Sequence, residues 1–148
     1  MEQGVSTLIA SSEAVAIRTA APALILVVER DPHIKKLERF FLEQAGFRVE
    51  FADDGAQGLA RARVLHPRIL VTEIILPGVD GLNVCRALKA DPATRNIPIL
   101  VFSILRAEAR AREAGADAFL PKPLDDALLV ETVNKLLRAS SKGNQSCA

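Results

Sequence analysis

The chain has 148 residues, 49 % of them hydrophobic and 25 % charged, with a net charge of +1. That length suits one domain with its own core. The near-neutral balance excludes a nucleic-acid footprint and an acidic tail, and two cysteines, Cys85 and Cys147, are too few for a disulfide framework.

Residues 1–22 are rich in Ala, Ser and Thr and end at Pro22. They are expected to form a flexible arm. They do not form a secretory signal, because Glu2 stands where a basic segment would be and Glu13 and Arg18 break the apolar run. No stretch approaches the roughly 20 apolar residues of a membrane span, so the expected location is cytoplasmic.

Leu24–Val28 is a continuous apolar run and predicts a strand buried on both faces. Asp31-Pro32 supplies an N-cap and a proline in the first helical turn. Ile34, Leu37, Phe41 and Ala45 then repeat at helical spacing up to Gly46, a stop signal. Residues 47–51 alternate as a strand. Asp53-Asp54-Gly55 opens a helix through about Leu65, ended by His66-Pro67. Ile69–Val71 is the next buried strand, and Pro77-Gly78 fits a type II turn. Asp80 caps a helix to about Ala90. Residues 97–102 form a strand with Pro98 near its start, where it is tolerated. A short helix over 107–114 stops at Gly115, and Ala118–Leu120 is a brief strand. Asp125 caps a last helix with an apolar stripe of Leu128, Leu129, Val133, Leu136 and Leu137. The polar tail from Ser140 to Ala148 is expected to fray. The domain is therefore placed at 23–139.

Strict alternation of five strands and five helices predicts a parallel sheet covered on both faces, an α/β three-layer fold. In such sheets, sites form beyond the carboxyl ends of the strands. Those positions hold Glu29, Arg30 and Asp31 after the first strand, Glu73 after the third, Ser103 after the fourth, and Lys122-Pro123 after the fifth.

ILVVERDP at 25–32, the stretch Glu73–Gly81, PILVFS at 98–103 and GADAFLPKP at 115–123 together resemble the receiver domain of bacterial response regulators. The resemblance covers about 23–138. It implies a flavodoxin-like (βα)5 fold of strand order 2-1-3-4-5 and a place in two-component signalling. Members accept a phosphoryl group from a histidine kinase on an aspartate after strand 3, beside Mg²⁺ held with the help of two acids after strand 1. A lysine pairs with the phosphoryl group. A hydroxyl after strand 4 and an aromatic on strand 5 relay the change. On this resemblance Lys122 matches the lysine, Ser103 the hydroxyl, Phe119 the aromatic, and Pro123 follows a bond that is cis in the family.

Two positions depart from the pattern. Glu73 occupies the phosphoacceptor position, and Arg30 replaces the second acid, the direct metal ligand. Glu29 keeps the first acid, and Asp31 reads as the helix cap. A guanidinium offers Mg²⁺ no oxygen and adds a fixed positive charge, so metal binding is expected to be weak or absent and no cofactor is expected. Arg30 could serve as an internal counter-ion, its fork paired with Glu73 or Glu29. A second reading extends it into solvent, and a third keeps phosphotransfer, with Asp31 or Asp80 as the acceptor. The extra methylene of Glu73 shifts its carboxylate by about 1.5 Å. A displacement of roughly 1 Å can cost about a hundredfold in rate.

The resulting expectation is a non-enzymatic, stand-alone receiver that works by protein–protein interaction without phosphorylation, its partner a histidine kinase or an effector. Neither nucleic acid nor membrane is an expected partner. The segment 103–122 is about one helical turn shorter than is usual in the family, which leaves a monomer or a weak dimer. The alternative is a phosphoacceptor with an atypical Mg²⁺-dependent site. A flavodoxin-like cofactor site is disfavoured, because no glycine-rich phosphate loop follows the first strand.

Overall fold

The computed structural model describes residues 21–147, with side chains placed through Ser140. The N-terminal arm expected over 1–22 lies almost wholly outside the described residues.

Five strands form one parallel sheet: β1 (Leu24–Val28), β2 (Arg48–Ala52), β3 (Ile69–Thr72), β4 (Ile99–Ser103) and β5 (Ala118–Pro121). Their spatial order is β2-β1-β3-β4-β5. The helices are α1 (Pro32–Gln44), α2 (Gly55–Leu65), α3 (Gly81–Ala90), α4 (Glu108–Glu113) and α5 (Asp126–Cys147). Because β1, β3 and β4 are covered on both sides, almost all their residues are apolar and buried. One face carries Leu26, Val28, Leu70, Ile99 and Val101 against α2, α3 and α4. The other carries Ile25, Val27, Ile69, Val71 and Phe102 against Leu42 of α1 and Leu129 and Val133 of α5.

The helix starts follow from local chemistry. The Asp31 side chain accepts from the amides of His33 and Ile34, and Asp54, Asp80 and Asp125 cap α2, α3 and α5 in the same way. Gly78 has φ +73°, as a type II turn requires. Gly81 allows the start of α3 to press against the segment after β3; a Cβ there would lie 2.1 Å from the Glu73 carbonyl oxygen. That close approach fixes the stretch that carries Glu73.

Two expectations differ. The α1 stripe through Leu37 is out of phase: Leu37 is 43 % exposed, and Glu38 and Leu42 face inward. Leu42 sits one turn beyond Glu38, so the helix that buries Leu42 and half-buries Ile34 must carry Glu38 in with them. In α5, Leu128 is similarly turned outward while Leu129 and Val133 are buried. Helix α5 runs on through Cys147. No proline interrupts it, and Gly143 costs only about 1 kcal/mol in a helix.

A closed ion cluster at the rim of the sheet as the candidate functional site

The carboxyl ends of β1, β3, β4 and β5 bring Glu29, Glu73, Ser103 and Lys122 together. Each is there because its strand ends where it does. Val28 and Thr72 are paired in register, so the next residue of each strand, Glu29 and Glu73, emerges side by side. Ser103 aligns with Pro121, which sets Lys122 one residue further along the same edge. The Lys122–Pro123 peptide is cis.

Both acids are almost fully buried, Glu29 at 3 % and Glu73 at 5 % exposure. Burial of two carboxylates is costly unless each is paired and hydrogen-bonded. Here Lys122 bridges them, its Nζ 2.7 Å from Glu29 Oε1 and 2.8 Å from Glu73 Oε2. The remaining lone pairs are filled by backbone. Glu29 Oε2 accepts from the amides of Arg30 and Asp31, each at 3.0 Å. Glu73 Oε1 accepts from the amides of Ile74 and Ile75 and from the Ser103 hydroxyl, and Oε2 from the amide of Ile104 at 3.3 Å. Every carboxylate oxygen of the pair therefore has a donor.

The electrostatics follow from this geometry. Burial pushes the Glu73 carboxyl up, but the Lys122 and Ser103 hydrogen bonds outweigh it and hold the group below its usual range. Burial pushes the Lys122 ammonium down, but its two carboxylate partners more than compensate and raise it. Both are charged at neutral pH.

The expectation that Arg30 pairs with Glu73 or Glu29 is corrected. Its side chain is exposed and makes no ion pair or hydrogen bond among the described residues; only its backbone amide touches Glu29. Lys122 already lies between the two acids, and an exposed guanidinium keeps its water instead. The Asp31 side chain caps α1 and that of Asp80 caps α3. Phe119 is half-buried and packs against the α2–α4 face of the core. His33 is exposed beside Arg30 at the mouth of the site.

The donor set does not fit the Mg²⁺ that the resemblance implies. Mg²⁺ takes oxygen ligands in near-octahedral array. The oxygens of Glu29 and Glu73 are spent on an ammonium, a hydroxyl and backbone amides, and the position of the second acid carries Arg30. Among the described residues, no three His, Cys, Asp or Glu side chains come together to hold an ion.

Two participants escaped the sequence reading. Phe102, on β4, presents its ring to the Lys122 ammonium, 5.4 Å from the centroid. Glu38 lies fully buried on the inner face of α1, its Oε1 without a hydrogen-bond partner. Burial pushes its carboxyl well above the usual range, and Glu29 adds to the rise. A helical period drawn through Glu38 and Leu42, in place of Leu37, would have exposed it.

Comparison with known proteins identifies the family. Residues 25–134 match the family model of the response regulator receiver domain. The chain belongs to that family. It is 36 % identical over 121 residues, 80 % of its length, to the DNA-binding dual master transcriptional regulator RpaA of Synechocystis sp., and covers 50 % of that protein. It is 38 % identical over 119 residues to the response regulator PleD of Caulobacter vibrioides, covering 78 % of this chain and 26 % of PleD. The chain thus spans half or less of these relatives. Among solved structures, one of a putative response regulator from Chloroflexus aurantiacus aligns with a TM-score of 0.76 and 30 % identity, covering 79 % of this chain and 98 % of that one. The receiver fold and its place in two-component signalling are established by these matches. Among the described residues, no helix is long and apolar enough to cross a membrane.

Proposed function

We propose that this chain is an atypical receiver whose phosphoryl site is closed by Glu73, and that it signals without phosphotransfer by docking to a histidine kinase or an effector protein. The observation that carries this reading is the double engagement of Glu73, with Lys122 on one oxygen and Ser103 on the other. In ordinary receivers the corresponding lysine and hydroxyl respond to the phosphoryl group. Here the glutamate's own carboxylate takes them, with about −1 charge where a phosphoryl group would supply about −1.5 to −2. The switch residues are thereby drawn toward the engaged arrangement without any donor.

Three physical facts support the absence of phosphotransfer. A nucleophilic oxygen needs a free lone pair facing the donor, and both Glu73 oxygens are saturated. Phosphoryl transfer relies on a cation to neutralise developing charge, and Lys122 is already shared between two acids. Arg30 stands where the family has a metal ligand.

The test uses Mg²⁺ with a small phosphodonor or beryllofluoride, followed by intact mass and amide spectra. The expected result is no mass gain and no Mg²⁺-dependent amide shift in the native chain. A clear Mg²⁺-dependent response would overturn the reading and establish an atypical phosphoacceptor instead. The paired substitution of Arg30→Asp and Glu73→Asp is expected to create a Mg²⁺ response.

A further inference from the structure

The closed site makes no use of Glu38, which is fully buried on the inner face of α1 with its Oε1 unpartnered. The sheet face it meets is set by the strands. Residues two apart on an extended strand share a face. Val27 packs on the side that α1 and α5 cover. The Glu29 amide extends the β1 ladder by donating to the Ala52 carbonyl, so Glu29 leaves the sheet on the same side as Val27. Phe102, whose ring lies against the Lys122 ammonium, belongs to that face too. Glu38 is thus a third acid on the side of the sheet where the ion cluster is built.

Charge and packing give this placement a consequence. The charged groups that face Glu38 are Glu29 beyond β1, Glu73 beyond β3 and Lys122 beyond β5, with Lys35 from its own helix. Lys35 is paired with Asp53. The side chains that β2, β4 and α5 turn to this face, Val49, Phe51, Phe102, Leu129 and Val133, are apolar. Glu29 and Glu73 against Lys122 leave the cluster with one negative charge. An ionised Glu38 adds a second to a buried region whose one ammonium is already shared, which is costly. A neutral Glu38 adds none, and both its burial and Glu29 favour that form. The first half of α1 has little apolar anchorage to resist the repulsion. Among the residues of the helix only Glu38 and Leu42 are fully buried, and of those before Glu38 only Ile34 and Lys35 are half-buried.

We propose that Glu38 is a proton-controlled latch on α1: neutral, it lets the helix seat against β1, and ionised, it drives the first half of the helix away from the ion cluster. Arg30, Asp31 and His33, at the mouth of the site, lead into that half and move with it. Leu42, beyond the latch, holds the second half in place, so the opening is local. The rim of the sheet then has two shapes, selected by pH. The direction is fixed by the raised pKa of Glu38. The contribution of the neutral acid to the seated form is fully present below the unfolded pKa and is lost as pH rises through the folded one.

The experiment compares the full native chain with Glu38→Gln, a neutral change of the same shape, and with Glu38→Leu, read in the same way should the amide variant fold poorly. Carboxyl ¹³C and amide ¹⁵N spectra are recorded from about pH 5 to about pH 9.5, above the ordinary glutamate range and below that of lysine. Every other ionisable group is common to the chains and cancels in the comparison. In the native chain the Glu38 carboxyl is expected to titrate within this range, and the amides from Arg30 to Glu38 to shift with it. Above that midpoint, hydrogen exchange at the amides of Lys35 to Glu38 is expected to be at least about tenfold faster than in Glu38→Gln at the same pH, while the strand amides of Val27 and Val71 exchange equally in both. A Glu38 carboxyl that titrates in the ordinary range or stays neutral throughout would overturn the proposal. So would a titrating carboxyl with no faster exchange in α1, or equal exchange in the native and non-ionising chains.

Discussion

Replacement of Glu38 by leucine should stabilise this protein at neutral pH. Glu38 is 1 % exposed, and its Oε1 has no hydrogen-bond partner. An unsatisfied buried polar group costs about 1–3 kcal/mol. Leucine occupies a similar volume and needs no partner on the buried face that Leu42 shares, so a gain of about 1–3 kcal/mol is expected. For a domain of this size that corresponds to a rise in Tm of roughly 2–10 °C. The pH dependence sharpens the test. The folded-state pKa of Glu38 is raised above its unfolded value. Its stability contribution is therefore fully present below the unfolded pKa and is lost as pH rises through the folded pKa. The gap between the leucine variant and the native chain should be smallest near pH 4, where only the unsatisfied polar group counts, widen with rising pH, and level off once the folded carboxyl ionises. Urea unfolding of both proteins across that range measures it directly, and the other ionisable groups, common to both, cancel in the difference. A gap that does not change with pH, or a leucine variant less stable than the native chain, would refute the reasoning that burial raises the Glu38 carboxyl and leaves it unsatisfied.

Other outcomes follow from the same geometry. Lys122→Met leaves Glu29 and Glu73 buried with no counter-ion and should cost about 3–5 kcal/mol at pH 7 in denaturant unfolding. In the native chain the contribution of Glu73, whose pKa is lowered, should be present above its unfolded pKa and fade as pH falls through the folded value, whereas that of Lys122, whose pKa is raised, should fade only as pH rises through its own folded value. In Lys122→Met both of these slopes should shrink. Ser103→Ala removes the hydroxyl from Glu73 and from the amide of Leu105; a loss of about 1–2 kcal/mol is expected, with amide shifts centred on Ile104 and Leu105. Gly81→Ala should destabilise by about 1–3 kcal/mol, because its Cβ would meet the Glu73 carbonyl and push α3 from the site. Cys85 is buried and its thiol is pushed up to about 12, so it should resist alkylation in the folded protein and react only on unfolding.

The sequence by itself determined the alternation of elements, because apolar runs and capping aspartates are local signals. Asp31, Asp54, Asp80 and Asp125 each mark a helix start within reach of their own following amides. It also showed which residues stand at the strand ends, and the motifs around Glu73 and Lys122 carried the resemblance to receivers. The partners of those residues were not legible. The sequence offered Arg30 as a counter-ion for Glu73 or Glu29, yet only the register of β1, β3, β4 and β5 decides that Lys122, from a distant part of the chain, lies between both acids. Backbone amides that saturate the carboxylates carry no side-chain signature at all. The inward turn of Glu38 was equally hidden, because a helix's phase is chosen by the whole face it buries: sequestering Leu42 drew an acid into the core that a one-residue rotation would have left in water.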